Sequence, residues 1–273
     1  MQRILLELRG ATAFVRRNFH LTKRYWKWEL VWFVYTMANA VTMGFIGRGF
    51  QMFGATVNTE YIVTYMLIGS ILWGYLSLLF EITAETVAWE RWEETIEYTF
   101  MAPISRITHL VSMSVYSIIY GIIRSGVILL VASLFFNLEL SKANFLSAGI
   151  ILAVSSLSFV GLGMIGAVLP LISPAKGTQV VHIFQAVLLM FSGVYYEVEV
   201  LPKWMQMVAR FSPATYALKG IRGAILEGLE VKSLWPICYP LLLMGGFFIP
   251  LGLWTFRRTE IYAKKKGLLK RNG

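Results

Sequence analysis

The chain has 273 residues, 57% of them hydrophobic and 15% charged, with a mean hydropathy of +0.62; soluble domains carry about 25% charge, so a purely soluble globule is excluded. Its net charge is +10, but the basic residues gather at the two ends rather than on a face interleaved with stacking aromatics, which excludes a nucleic-acid interface. A single cysteine, Cys238, excludes an internal disulfide, and every acidic residue is Glu, so no mechanism here rests on a phosphorylated or catalytic aspartate.

The first 28 residues carry Arg3, Arg9, Arg16, Arg17, Lys23, Arg24 and Lys27. From 11 to 28 a helical wheel gathers Arg16, Arg17, His20, Lys23, Arg24 and Lys27 on one arc and Phe14, Val15, Phe19, Tyr25 and Trp26 on the other. That is the pattern of an interfacial helix whose basic side suits anionic headgroups of membrane lipid. Met1 to Gly10 lacks the apolar core of a cleavable signal, so the first span is expected to act as the targeting signal.

Apolar segments follow near 29–49, 61–82, 110–136, 145–170, 178–196 and 234–256, and about 20 apolar residues suffice for one helical crossing. Six crossings return both termini to one side. The basic excess at both ends, completed by Arg257, Arg258, Lys264, Lys265, Lys266, Lys270 and Arg271, puts that side in the cytoplasm. The predicted fold is an all-α integral membrane protein of the cell membrane: a cytoplasmic interfacial helix (1–28), six transmembrane helices (29–256) and a basic tail (257–273).

Between the second and third spans, residues 89–107 read as an amphipathic surface helix ended by Pro103, with Trp89, Trp92, Ile96 and Phe100 packed and Glu90, Glu94 and Glu97 facing outward. An acidic face is repelled by anionic lipid and suits a basic groove on another protein. Arg124 lies inside the third span, at a cost of about 2.5–3.5 kcal/mol, and either faces a water-lined substrate path or bonds neighbouring backbone. His182 and Gln185 on the fifth span read as interhelical hydrogen-bonding groups, and Glu197 and Glu199 at its outer end could attract a cationic substrate. The loop 197–232 holds two short helical patterns, one started by Pro202 and carrying Trp204, Val208 and Phe211. The other is started by Ser212-Pro213 and stopped by Gly228. Too short to span, they read as a re-entrant outer element before the last span.

Two motifs carry a resemblance. Glu90-Arg91-Trp92-Glu93-Glu94-Thr95-Ile96-Glu97 with Ala102-Pro103-Ile104-Ser105-Arg106 is similar to the E-R-x-x-G-T-L-E…T-P-[VI]-S-R coupling segment of the type-2 ABC-transporter permease family, with Glu94 where Gly is usual. Phe211-Ser212-Pro213-Ala214-Thr215-Tyr216-Ala217-Leu218, with Arg222 beyond it, resembles that family's N-P-x-T-Y-A pattern. Together with the order of elements, the chain resembles the branch of small bacterial and archaeal exporters.

The resemblance implies a transport subunit with no catalytic residue, cofactor or metal of its own. It implies two permease subunits, alike or unlike, docked on two ABC ATPase subunits that hold ATP and Mg, as in multidrug efflux. Glu90, Arg91, Trp92, Glu94, Glu97, Pro103, Ser105 and Arg106 would couple to the ATPase, and Arg124, Glu197, Glu199 and Tyr216 could line the substrate route. The chain contains no G-x-x-x-x-G-K-[ST] phosphate loop, in keeping with a motor on another polypeptide. Export of a lipid-linked glycan or other envelope polymer is the alternative, but Arg24-Tyr25-Trp26-Lys27 starts that branch's R-Y-x-x-S-x-L-G signature and then departs from it. An intramembrane enzyme lacks H-E-x-x-H and G-x-S-x-G here, and a self-contained channel gives the acidic helix and Ser-Arg pair no role.

Overall fold

The computed structural model describes residues 2–49, 59–138 and 140–269; Lys270 and Arg271 of the predicted tail lie outside them. The described residues form helices joined by short turns: α1 (Gln2–Arg24), α2 (Trp26–Gly49), α3 (Thr59–Trp92), α4 (Ile96–Met101), α5 (Arg106–Phe136), α6 (Phe145–Gly166), α7 (Val168–Ile172), α8 (Pro174–Phe191), a 3-10 turn (Val198–Val200), α9 (Lys203–Ala209), α10 (Pro213–Leu226) and α11 (Val231–Lys265). In a lipid solvent every backbone polar group must be satisfied within the chain, which apolar runs of this length do as helices.

Two predicted segments differ from the structure. The second span does not end near residue 82: α3 is 34 residues long, about 51 Å at 1.5 Å per residue, and outruns hydrocarbon about 30 Å thick. Its last turns, through Trp92, are residues that the periodicity assigned to a separate surface helix. The fifth segment becomes α8, whose apolar run is interrupted by Lys176, Gln179, His182 and Gln185. Among the described residues five helical stretches are long and apolar enough to cross a membrane, and α8 is not one of them.

Burial separates inner from outer helices. About two-thirds of the most apolar window of α3 (67%) and of α6–α7 (61%) is buried, against 17% for α2 and for α5 and 22% for α11. The α3 core residues Leu72, Tyr75, Leu76, Leu79 and Phe80 pack with Ile151 and Phe159 of α6, Val181 of α8 and Leu218 of α10, and the Tyr75 hydroxyl lies 2.6 Å from Ser156 Oγ. The pairing of α6 with α11 runs through small residues. A Cβ at Gly161 would stand 2.6 Å from Phe248 Cβ and 2.7 Å from the Ile249 nitrogen, and one at Gly252 would stand 2.7 Å from Met164 Cβ. Small residues bring helix backbones together where lipid supplies no hydrophobic drive. Ser158 donates across the same seam to the Leu241 carbonyl at 2.8 Å.

Candidate functional site

The turn from α3 to α5 is where the two motif halves meet. At the end of α3 the chain reverses over residues 93–95, with Glu94 at φ 58 in the left-handed region, where a side chain is strained and Gly is not. The structure thus supplies the reason a glycine pattern fits that position. Beyond the turn, α4 buries Ile96 and Phe100 among Val87, Leu110, Val160, Met164 and Phe256. Ala102 is extended at ψ 141, as a residue before proline prefers, and Pro103 follows. Ser105 then caps α5 by accepting the Thr108 N–H at 3.1 Å.

Each side of this turn is fastened to a helix far away in sequence. Glu90 is buried, not outward-facing as its wheel position suggested: its Oε1 accepts from Arg17 Nη2 of α1 at 2.7 Å, and its carboxylate lies 3.4 Å from His109 Nε2 of α5. Phe14 of α1 closes the site, edge-on to His109 at 4.9 Å and 5.1 Å under the Arg17 guanidinium. Nearby, Glu7 of α1 accepts the Ser105 N–H at 3.0 and 3.1 Å and the Thr108 hydroxyl. The Thr108 hydroxyl, with the Ser105 N–H, holds the Glu7 carboxyl below the usual carboxylate range. On the other side Arg106 donates to Glu260 of α11 at 3.0 and 3.1 Å and to the Phe100 carbonyl at 2.6 Å, with its guanidinium 4.4 Å from the Phe100 ring centroid. Lys264 completes that cluster, 2.7 Å from Glu260.

The remaining residues of the segment stand at its apex. Glu93, Glu94 and Glu97 are exposed, as is Pro103, while Arg91 is half-buried. Trp92, expected to anchor the packed face, is 51% exposed beside an exposed Trp89, because continuation of α3 turns both rings off the side that α4 buries.

The four residues considered for a substrate route sit on separate elements: Arg124 on α5, Glu197 and Glu199 at the 3-10 turn, and Tyr216 on α10. Arg124 donates to the Trp32 carbonyl of α2 at 2.9 Å and to the Thr36 hydroxyl, the backbone-bonding alternative. Glu197 and Glu199 are exposed around the 3-10 turn, and Tyr216 is half-buried on α10. Among the described residues no ion pair or side-chain hydrogen bond joins the four. Arg222, from the second motif, is instead the clamp of the turn after α8: it donates to the carbonyls of Gly193, Val194 and Tyr65 and lies 3.4 Å from the Tyr65 ring centroid. Gly69 makes room for it, since a Cβ there would stand 2.6 Å from the Arg222 Nη2 and 2.2 Å from the Val194 carbonyl oxygen. Ser212 precedes α10 as read, but its hydroxyl pairs with Ser192 at 2.8 Å rather than with the helix start.

On α8, Gln185 does bond between helices, donating to the Ser77 carbonyl at 3.0 Å. His182 Nδ1 sits 3.5 Å from Glu81, and with Glu85 these groups place three ligand-capable atoms within 4.8 Å of one another. That is the one such donor set among the described residues, with Glu81 and Glu85 half-buried and His182 exposed.

Glu7, His109 and Glu260 escaped the sequence reading, and Arg17, read on the basic arc that suits lipid headgroups, is instead bound to Glu90. Their partners are distant in sequence, beyond the reach of any wheel; the one available signal was that Glu260 is the sole acid within the basic tail.

A stretch of 141 residues is 28% identical to the linearmycin resistance permease protein LnrN of Bacillus subtilis (strain 168), covering 51% of this chain and 35% of that protein, so the match spans about a third of the relative's length. The model of the ABC-2 type transporter family matches residues 11–226, from within α1 to the end of α10 and across both motifs. The chain belongs to the ABC-2 type transporter family.

Proposed function

We propose that the chain is half of the membrane channel of an ABC exporter, moving a hydrophobic or amphipathic substrate outward while ATP and Mg are bound on separate ATPase subunits. Two permease subunits, alike or unlike, enclose the route. In this reading α8 is the fifth crossing, which makes six and returns both termini to the cytoplasm. The resistance named for the relative supports efflux as the direction.

The observation that carries the proposal is the fastened turn. Its apex offers Glu93, Glu94, Glu97 and Trp92 to a docking partner, while its two roots are held to α1 through Glu90 and Glu7 and to α11 through Arg106. A push on α4 is therefore passed to α3, α5, α1 and α11 together, and a packed element transmits such displacement because it does not deform continuously. Glu197, Glu199 and Tyr216 stand at the outer mouth in this reading, and Arg124 holds α5 to α2.

The test is charge reversal at the apex. Replacing Glu93, Glu94 and Glu97 together by Lys should abolish co-purification of the cognate ATPase and transport in vesicles, with the melting temperature of the permease unchanged, because exposed charges govern encounter rather than folding. Wild-type ATPase binding by this variant would remove the segment as the docking element.

A further inference from the structure

Along the first turns of α5, α1 leaves a groove. Two depressions of about 650 and 440 Å³ lie between the helices, and Ala11 and Val111 line both, so they form one trough. Its walls are apolar, built mainly from Leu8, Val15, Phe19, Ile107, Val111 and Val115. Leu8 is 60% and Ile107 55% exposed, so this surface has no cover from the chain itself. Each depression by itself falls within the roughly 300–1,000 Å³ of sites that hold one small molecule.

The rim is mainly basic. Arg16 and His20 are exposed at one end of the trough and Arg3 at the other. The one acid lining it, Glu7, already accepts from Ser105 and Thr108. α5 is among the helices long and apolar enough to cross a membrane, α1 is not among them, and the trough lies along the first turns of α5.

We propose that this groove is a binding site for one anionic phospholipid, with an acyl chain along the apolar floor and the phosphate at Arg16 and His20. The charge complementarity selects lipid over a second copy of this chain, whose own rim there carries the same positive sign. The site has a consequence for coupling: a lipid seated between α1 and α5 holds α1 in the position from which Arg17 reaches Glu90 and Glu7 reaches Ser105. This inference rests on the chain being embedded in a membrane, and on neither the direction of transport nor the docking role of α4.

The test is native mass spectrometry of the purified full-length chain in detergent, titrated with phosphatidylglycerol or phosphatidylcholine. The wild type should retain phosphatidylglycerol preferentially. Arg16→Gln should weaken that binding about fivefold, the effect of about 1 kcal/mol for one basic residue at an anionic surface. Arg257→Gln, the same charge change on the exposed end of α11, should leave it unchanged. Val115→Trp, which fills the trough and keeps every charge, should abolish the preference with an unchanged melting temperature; if that variant unfolds, Arg16→Gln against Arg257→Gln decides alone. Equal retention of the two lipids by the wild type, equal loss in the two Arg variants, undiminished phosphatidylglycerol binding by folded Val115→Trp, or a photo-crosslinker at Val115 capturing a second copy of the chain would each overturn the proposal.

Discussion

Arg17 and Glu90 are unequal partners, and the inequality sets which of them tolerates loss of the other. The Glu90 side chain is 5% exposed and that of Arg17 36%. Once Glu90 is neutralised, Arg17 swings back to water, whereas removal of Arg17 leaves a buried carboxylate with His109 as its remaining neighbour. Breaking a buried pair costs about 3–5 kcal/mol when the charge left behind stays buried. Arg17→Met should therefore destabilise more than Glu90→Gln, by about 3 kcal/mol against about 1, and the double variant should recover part of the loss. Thermal unfolding of the four proteins in one detergent measures this; equal losses in both single variants, with no recovery in the double, would mean that the pair is not coupled.

Elements here are held by shape as much as by sequence pattern. The seam between α6 and α11 is closed by glycines, and Gly161 meets backbone atoms that cannot step aside cheaply. Gly161→Ala should cost about 1–3 kcal/mol, the usual result of overpacking. Gly149→Ala on α6 and Gly246→Ala on α11, where an added Cβ meets nothing within 4 Å, should be neutral or stabilising. Melting temperatures read by size-exclusion fluorescence separate the three. The helices themselves were legible as apolar runs, and the starts of α9 and α10 were legible from Pro202 and Ser212-Pro213. The end of α3 was not. Residues 89–92 fit the amphipathic period of a surface helix and equally that of a span that emerges into water on one side, and periodicity alone does not distinguish these.

For the whole molecule the six-crossing arrangement depends on α8, an 18-residue helix with polar groups through its first half. If it crosses, Lys203 lies outside and Lys265 in the cytoplasm, and the buried Cys238 contributes little background to thiol labelling. A cysteine at Lys203 should react with an impermeant maleimide on intact cells, and one at Lys265 only after permeabilisation; the reverse pattern would leave α8 on one side of the membrane, since α11 separates the two positions in either case.

The amino-acid sequence by itself determined the lipid solvent, the all-helical class, the positions of the apolar runs and both family motifs. These follow from composition and near-neighbour spacing, which a chain carries whether or not it is folded. Only the tertiary structure decided that Glu90 faces inward, that Arg106 answers to Glu260, that Arg124 serves α2 and that Arg222 locks the outer loop. Each of those contacts joins residues far apart along the chain. Burial and charge pairing are properties of the space between helices, and no helical wheel contains the neighbour that fills it.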